Sequence, residues 1–117
     1  MKLQQQQAKF TYNVAQLIDY IYTNQYTATF GDAYRDPELA ELFAKEGKGI
    51  KDSLHTSRMA IDINLFDATG NYIKDRAPYE KFGAYWKSLH TQNEWGGDFI
   101  KKGGHIDDPN HFQMKPL

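Results

Sequence analysis

The run Ala60-Ile-Asp-Ile-Asn-Leu-Phe66 alternates apolar and polar side chains with a period of two. Successive residues of an extended chain point to opposite faces. Ile61, Ile63 and Leu65 therefore share one face, and Asp62 and Asn64 the other. The pattern predicts a strand half-buried against a core. It also sends a carboxylate to the far face. A carboxylate taken out of water there needs a partner, and a bound cation is one such partner.

Other residues can complete a cation site with Asp62. His55 lies just upstream, in a polar stretch that reads as the loop entering the strand. Asp108-Pro-Asn110 is a turn sequence, and His111-Phe-Gln-Met114 reads as a short strand after it. His55, Asp62 and His111 make three good zinc ligands, with Asp108 as a spare carboxylate. A catalytic zinc takes three protein ligands and leaves a fourth position for water. It lowers the pKa of that water toward neutrality, and a nearby carboxylate can move the proton to a leaving amine. By spacing alone, the ordinary reading is a surface histidine and an aspartate that caps or pairs. His105, in a glycine-rich loop, rivals His111, and Asp107 rivals Asp108. His111 is preferred because it begins a strand and Phe112 anchors it; Asp108 is preferred for its three-residue spacing. His90 is placed at a helix end, where an imidazolium suits the carbonyl end of the dipole. Glu94 and Asp98 read as solvated or structural.

The coarse order is helix, strand, helix, strand, helix, strand. Val14, Leu17, Ile18 and Ile21 form the stripe of an amphipathic helix, with Thr11 or Asn13 as its cap. Thr27–Phe30 is a short β-prone run. Asp36-Pro37 starts a helix, with Asp as N-cap and Pro in its first turn; Leu39, Leu42 and Phe43 give it a buried face. Gly47–Asp52 is a loop leading to His55. Asp67–Asn71 is a turn that predicts a hairpin with Tyr72-Ile73. Pro78–His90 carries Phe82, Tyr85, Trp86 and Leu89 at helical spacing, as core residues. Gly96-Gly97 and Gly103-Gly104 predict a flexible approach to Asp108. The expected fold is α+β: a small antiparallel β-sheet with helices packed on one side and the zinc site on the open face.

Length and charge narrow the classes. A chain of 117 residues is read as a single domain, 1–117, with one core and one cleft, and as a monomer. Its 14 basic and 15 acidic residues nearly cancel, which points to neither nucleic acid nor an anionic membrane. With no cysteine there are no disulfides and no thiolate ligands. No apolar run approaches a membrane span. The start, Met-Lys-Leu and then Gln4–Gln7, has no apolar signal-peptide core. No internal repeat stands out.

These motifs together resemble a known family. Ser53-x-His55-x-x-x-x-Ala60-x-Asp62 is similar to the S-x-H-x-x-G-x-A-x-D signature of the VanY-type zinc peptidases. That family includes D-alanyl-D-alanine carboxypeptidases and phage L-alanyl-D-glutamate endopeptidases. Asp108-x-x-His111-Phe112 resembles its closing D/E-x-x-H-F element. Trp95-Gly-Gly-Asp-Phe99 resembles the W-G-G-D-[FW] of the phage members. Gly31-Asp-Ala-Tyr-Arg35-Asp-Pro-Glu38 resembles its G-x-R-[ST]-P-E segment. The pieces run in order from about Thr27 to Met114.

The resemblance implies roles. His55, Asp62 and His111 would hold Zn2+, and Asp108 would be the general base and acid. Arg35 would hold the substrate and the oxyanion developing on the scissile carbonyl, where a fixed cation strengthens its interaction in the transition state. Ser53 and Arg58 are placed with the substrate. Two departures stand out. Arg58 replaces the usual Gly, so the loop is expected to take a different path or to aim Arg58 at a substrate carboxylate. Gln113 replaces the frequent Glu of H-F-E, leaving the ring of His111 without an acid to orient it. The implied substrate is the stem peptide of peptidoglycan, and the implied enzyme an L-alanyl-D-glutamate endopeptidase endolysin of a phage or prophage. It would wait in the host cytoplasm until lysis and then act in the periplasm. The alternatives are a D-alanyl-D-alanine carboxypeptidase or dipeptidase of the same fold, or a non-catalytic wall-binding or virion module.

Overall fold

The computed structural model describes residues 2–31, 33, 57–101, 104–105 and 108–116, with residues 100, 101, 104 and 105 as backbone. Ser53, His55, Arg35, Asp107 and the expected helix after Asp36 lie outside the described residues.

The first helix, α1, runs Leu3–Thr23. It buries Gln6, Phe10, Asn13, Val14, Leu17 and Ile21, one stripe at three- and four-residue spacing. The stripe thus begins two turns before Val14, and the helix with it. Thr11 and Asn13 are interior: the Thr11 hydroxyl donates to the Gln7 carbonyl at 2.8 Å. The glutamine run, a good helix former, supplies the first turns, and Lys2 N–H donates to Gln5 Oε1 at 2.9 Å. No described helix is long and apolar enough to cross a membrane.

Strand β1 (Thr27–Phe30) pairs with β2 (Ala60–Phe66). After β2 the Asp67 carboxylate accepts from the backbone N–H groups of Asn71 and Thr69, both at 2.9 Å. These bonds hold it at about 2, well below its ordinary value. The expected hairpin shrinks to one bridge, Phe66 with Tyr72, because the chain then turns into helix α2 (Arg76–Leu89). Tyr79 on α2 ties this corner: its hydroxyl accepts from Leu65 N–H at 3.0 Å. Burial pushes that phenol up to about 12.

A short strand follows, β3 (Asn93–Trp95), then a 3-10 turn (Gly96–Asp98), a small pair β4 (Ile100–Lys101) and β5 (Gly104–His105), and finally β6 (His111–Met114). The main sheet has the order β1-β2-β6-β3, antiparallel throughout. The two described helices pack on its Ile61–Ile63–Leu65–Phe112–Met114 face. Trp86, fully buried, sits edge-on to Phe10 at 5.6 Å and to Phe112 at 6.0 Å, joining α1, α2 and β6. Removing so large a buried ring costs about 3–5 kcal/mol. The fold is α+β, as expected, with a polar sheet face turned away from the helices.

Candidate active site

That polar face is built by strand register. Asp62 on β2 stands directly opposite His111 on β6, and Glu94 on β3 opposite Gln113. His111 and Gln113 share a face because they are two residues apart. One row, Asp62–His111–Gln113–Glu94, therefore crosses three strands.

His111 is the centre of the row, with only 7% of its surface exposed. Its Nδ1 lies 3.1 Å from Asp62 Oδ1 and 4.0 Å from Asp108 Oδ2; its Nε2 lies 2.7 Å from Gln113 Oε1. Burial opposes a charged ring. The bonds to Asp62 and Gln113 and the charges of Asp62 and Asp108 outweigh it and raise the ring above its ordinary value. The edge of the site is aromatic: Phe99 lies 5.6 Å from the His111 ring.

Asp108 is brought there by its turn. His111 N–H donates to the Asp108 carbonyl at 3.2 Å, and Ile63 N–H to that of Asn110 at 2.8 Å. The Asn110 amide donates to Asn64 Oδ1 at 3.1 Å, and Trp95 Nε1 to the Pro109 carbonyl at 2.7 Å. Asn64, placed on the Asp62 face by the alternation, thus anchors the turn that carries Asp108.

The Gly96-Gly97 pair is tightly packed rather than a flexible approach. A β-carbon on Gly97 would overlap the Trp95 ring, and one on Gly96 the Asp108 carbonyl oxygen. Side chains are excluded at Gly96 because backbone passes against backbone, and at Gly97 because the indole of Trp95 fills the space. Arg58 also differs from expectation. Its φ is +58°, in the left-handed region that a glycine fills readily. At this position the backbone keeps a glycine-like conformation despite the arginine. Gln113 does not leave His111 unoriented: its Oε1 faces the ring, and Glu94 Oε1 holds its amide nitrogen at 2.8 Å. Glu94 is thus engaged rather than solvated; β3 was too short to show as alternation. Asp98 pairs with Lys87 at 2.6 Å, as a structural residue does. His90 caps the C-terminus of α2, and its Nδ1 accepts from Gln92 N–H at 3.0 Å.

The donors present suit a zinc ion. Two ligands at ordinary zinc distances stand roughly 3.4 Å apart across a tetrahedral centre, close to the 3.1 Å between Asp62 Oδ1 and His111 Nδ1. Among the described residues no group of three or more His, Cys, Asp or Glu is arranged to hold a metal. The expected third ligand, His55, lies outside them. His105 pairs by its backbone with Ile100 in the separate β4–β5 ribbon.

A family model described as D-alanyl-D-alanine carboxypeptidase, of the M15 peptidases, matches residues 46–114. No curated protein matches significantly. The crystal structure of the L-Ala D-Glu endopeptidase ChiX of Serratia marcescens has a TM-score of 0.63 at 17% identity, over 76% of this chain and 67% of that one. A variant of the vancomycin resistance D,D-pentapeptidase VanY, from the VanB-type cassette and in complex with Zn(II), has a TM-score of 0.60 at 18% identity, over 92% of this chain and 71% of that one. The L,D-carboxypeptidase DacB of Streptococcus pneumonia has a TM-score of 0.58 at 12% identity, over 92% of this chain and 65% of that one. These likenesses are of fold. The family match covers more than half of the sequence, including β2, β3, β6 and the turn of Asp108, and the chain belongs to the M15 D-alanyl-D-alanine carboxypeptidase family, metallopeptidases that act on peptidoglycan.

Proposed function

We propose that this chain is a zinc-dependent endopeptidase that cuts peptidoglycan stem peptides between L-alanine and D-glutamate. The observation that carries the reading is the facing pair Asp62 and His111, with the Asp108 carboxylate 4.0 Å from the same imidazole. Asp62, His111 and His55 are the proposed ligands. Bound zinc would supply a water acidic enough to ionise near neutral pH and a Lewis acid for the scissile carbonyl. Asp108 is half-exposed on its turn, where it takes the proton of the attacking water and returns it to the leaving amine. Arg35 is assigned the oxyanion on the scissile carbonyl. Ser53 and Arg58 are assigned to the substrate chain.

Endopeptidase cleavage is favoured by the segment Trp95-Gly-Gly-Asp-Phe99, which resembles that of phage endopeptidases. On this reading the enzyme serves phage or prophage lysis and meets the wall once the inner membrane has opened. The second reading, a D-alanyl-D-alanine carboxypeptidase, is favoured by the exposed Arg58 just before β2. An arginine there suits a free substrate carboxylate. Digestion of purified peptidoglycan with and without chelator separates the two. New D-glutamyl amino termini by mass spectrometry support the first; free D-alanine, lost in Arg58→Ala, supports the second. Chelator-insensitive cleavage would remove the metal from both.

A further inference from the structure

The polar row of the sheet extends beyond the groups that the proposed chemistry uses. Gln113 Nε2 donates to Glu94 Oε1 at 2.8 Å, and Gln113 Oε1 lies 2.7 Å from His111 Nε2. A carboxylate only accepts, whereas an amide has a donor end and an acceptor end. Glu94 therefore takes the NH2 end of Gln113 and turns its carbonyl toward the imidazole. Facing that acceptor, His111 Nε2 holds a hydrogen. The other ring nitrogen, Nδ1, is the one aimed at Asp62.

The backbone beneath this relay is fixed from the core. Trp86 Nε1 donates to the carbonyls of both Glu94, at 3.1 Å, and Gln113, at 3.0 Å. Trp86 is fully buried, so the two side chains start from set positions. His111 is buried as well, and its ring has little room to turn once both nitrogens are engaged.

We propose that Glu94 is a positioning residue: acting through Gln113, it holds the Nε2–H of His111 and so presents Nδ1 to the metal. The proposal rests on the zinc reading above. A histidine ligand is commonly oriented by a carboxylate, carbonyl or water on its other nitrogen. Here the orienting acid comes from a neighbouring strand and works through an amide. Glu94 touches neither metal nor substrate in this scheme.

The test compares zinc affinity, by chelator competition, in wild type, Glu94→Ala and the exchanged pair Glu94→Gln with Gln113→Glu. Cadmium-113 substitution, read by its coupling to labelled ring nitrogens, identifies the bound nitrogen. Wild type should show coupling to His111 Nδ1. Glu94→Ala should bind zinc about ten- to a hundredfold more weakly, the usual effect of losing such a partner. The exchanged pair restores an acceptor beside Nε2 and a donor behind it, and should recover most of that loss. Glu94→Ser serves the same purpose should Glu94→Ala not fold, with the same loss expected. Unchanged affinity in both single variants, coupling through Nε2, or no recovery in the exchanged pair would overturn the relay. A wild type that takes up neither zinc nor cadmium would instead overturn the zinc reading.

Discussion

Gly96 lies against the backbone of Asp108 so closely that a β-carbon on it would overlap the Asp108 carbonyl oxygen, and it would stand 2.7 Å from the Cβ of His111. Both neighbours are backbone or near-backbone atoms, so neither can swing aside. Gly96→Ala should therefore destabilise the fold by about 1–3 kcal/mol, the usual range for overpacking, and displace Asp108 and His111 together. Urea unfolding and zinc titration check this. Wild-type values for both would show that the turn is looser than its packing implies.

The metal assignment separates binding from chemistry. Asp62→Ala and His111→Ala should each lose zinc by elemental analysis, as should His55→Ala. His105→Ala should keep it, because its backbone belongs to the separate β4–β5 ribbon. Full zinc in His111→Ala would send the ligand role elsewhere.

Asp108→Ala should retain zinc and fold yet lose turnover by on the order of a hundred- to ten-thousandfold, the span of general acid–base contributions. A near-normal rate would take Asp108 out of the mechanism.

The raised pKa of His111 gives opposite pH trends with and without metal. In the zinc-free protein its folded value lies above its unfolded one. That stabilisation is complete below the ordinary value of 6.5 and is lost as pH rises through the raised value. Zinc must displace a proton from the ring, so its affinity should fall as pH drops through the same window. Thermal unfolding of zinc-free and zinc-loaded protein across that window checks both signs. Parallel profiles for the two forms would show that His111 does not couple to the metal.

Arg58 occupies a left-handed backbone conformation, φ +58°. An ordinary residue there costs about 1–2 kcal/mol, while glycine costs somewhat under that through the unfolded chain. Arg58→Gly should therefore be neutral or stabilise slightly, rather than destabilise as glycine does within a helix or strand. A marked loss in a denaturation curve would mean that the arginine side chain itself holds the loop.

Strands β2 and β6 could be read to the residue because each is a short alternating or turn-bounded run whose pattern is local. Helix α2 was legible for the same reason: Phe82 and Trp86 are core as expected, while Tyr85 and Leu89 pack half-buried against it. The start of α1 was not, since Gln6 is polar by type yet buried by position, and periodicity counts only apolar residues. Strand β3 was hidden because three residues, Asn93-Glu-Trp95, are too few to display alternation. The packed role of Gly96 and Gly97 was hidden as well, because a glycine pair in sequence looks the same whether it is loose or crowded.

In the candidate site, alternation along β2 already settled that Asp62 and Asn64 share a face, because side-chain direction in a strand depends only on residue parity. Motif order already pointed to Asp62, Asp108 and His111 as partners. Which atoms meet was a matter of register between strands far apart in the chain. The pairing of Asp62 with His111 and of Glu94 with Gln113 depends on how β6 slots between β2 and β3, and no local pattern encodes that alignment. The core does so: Phe112 and Met114 fit against Ile61, Trp86 and Trp95 on one face only when His111 and Gln113 lie on the other.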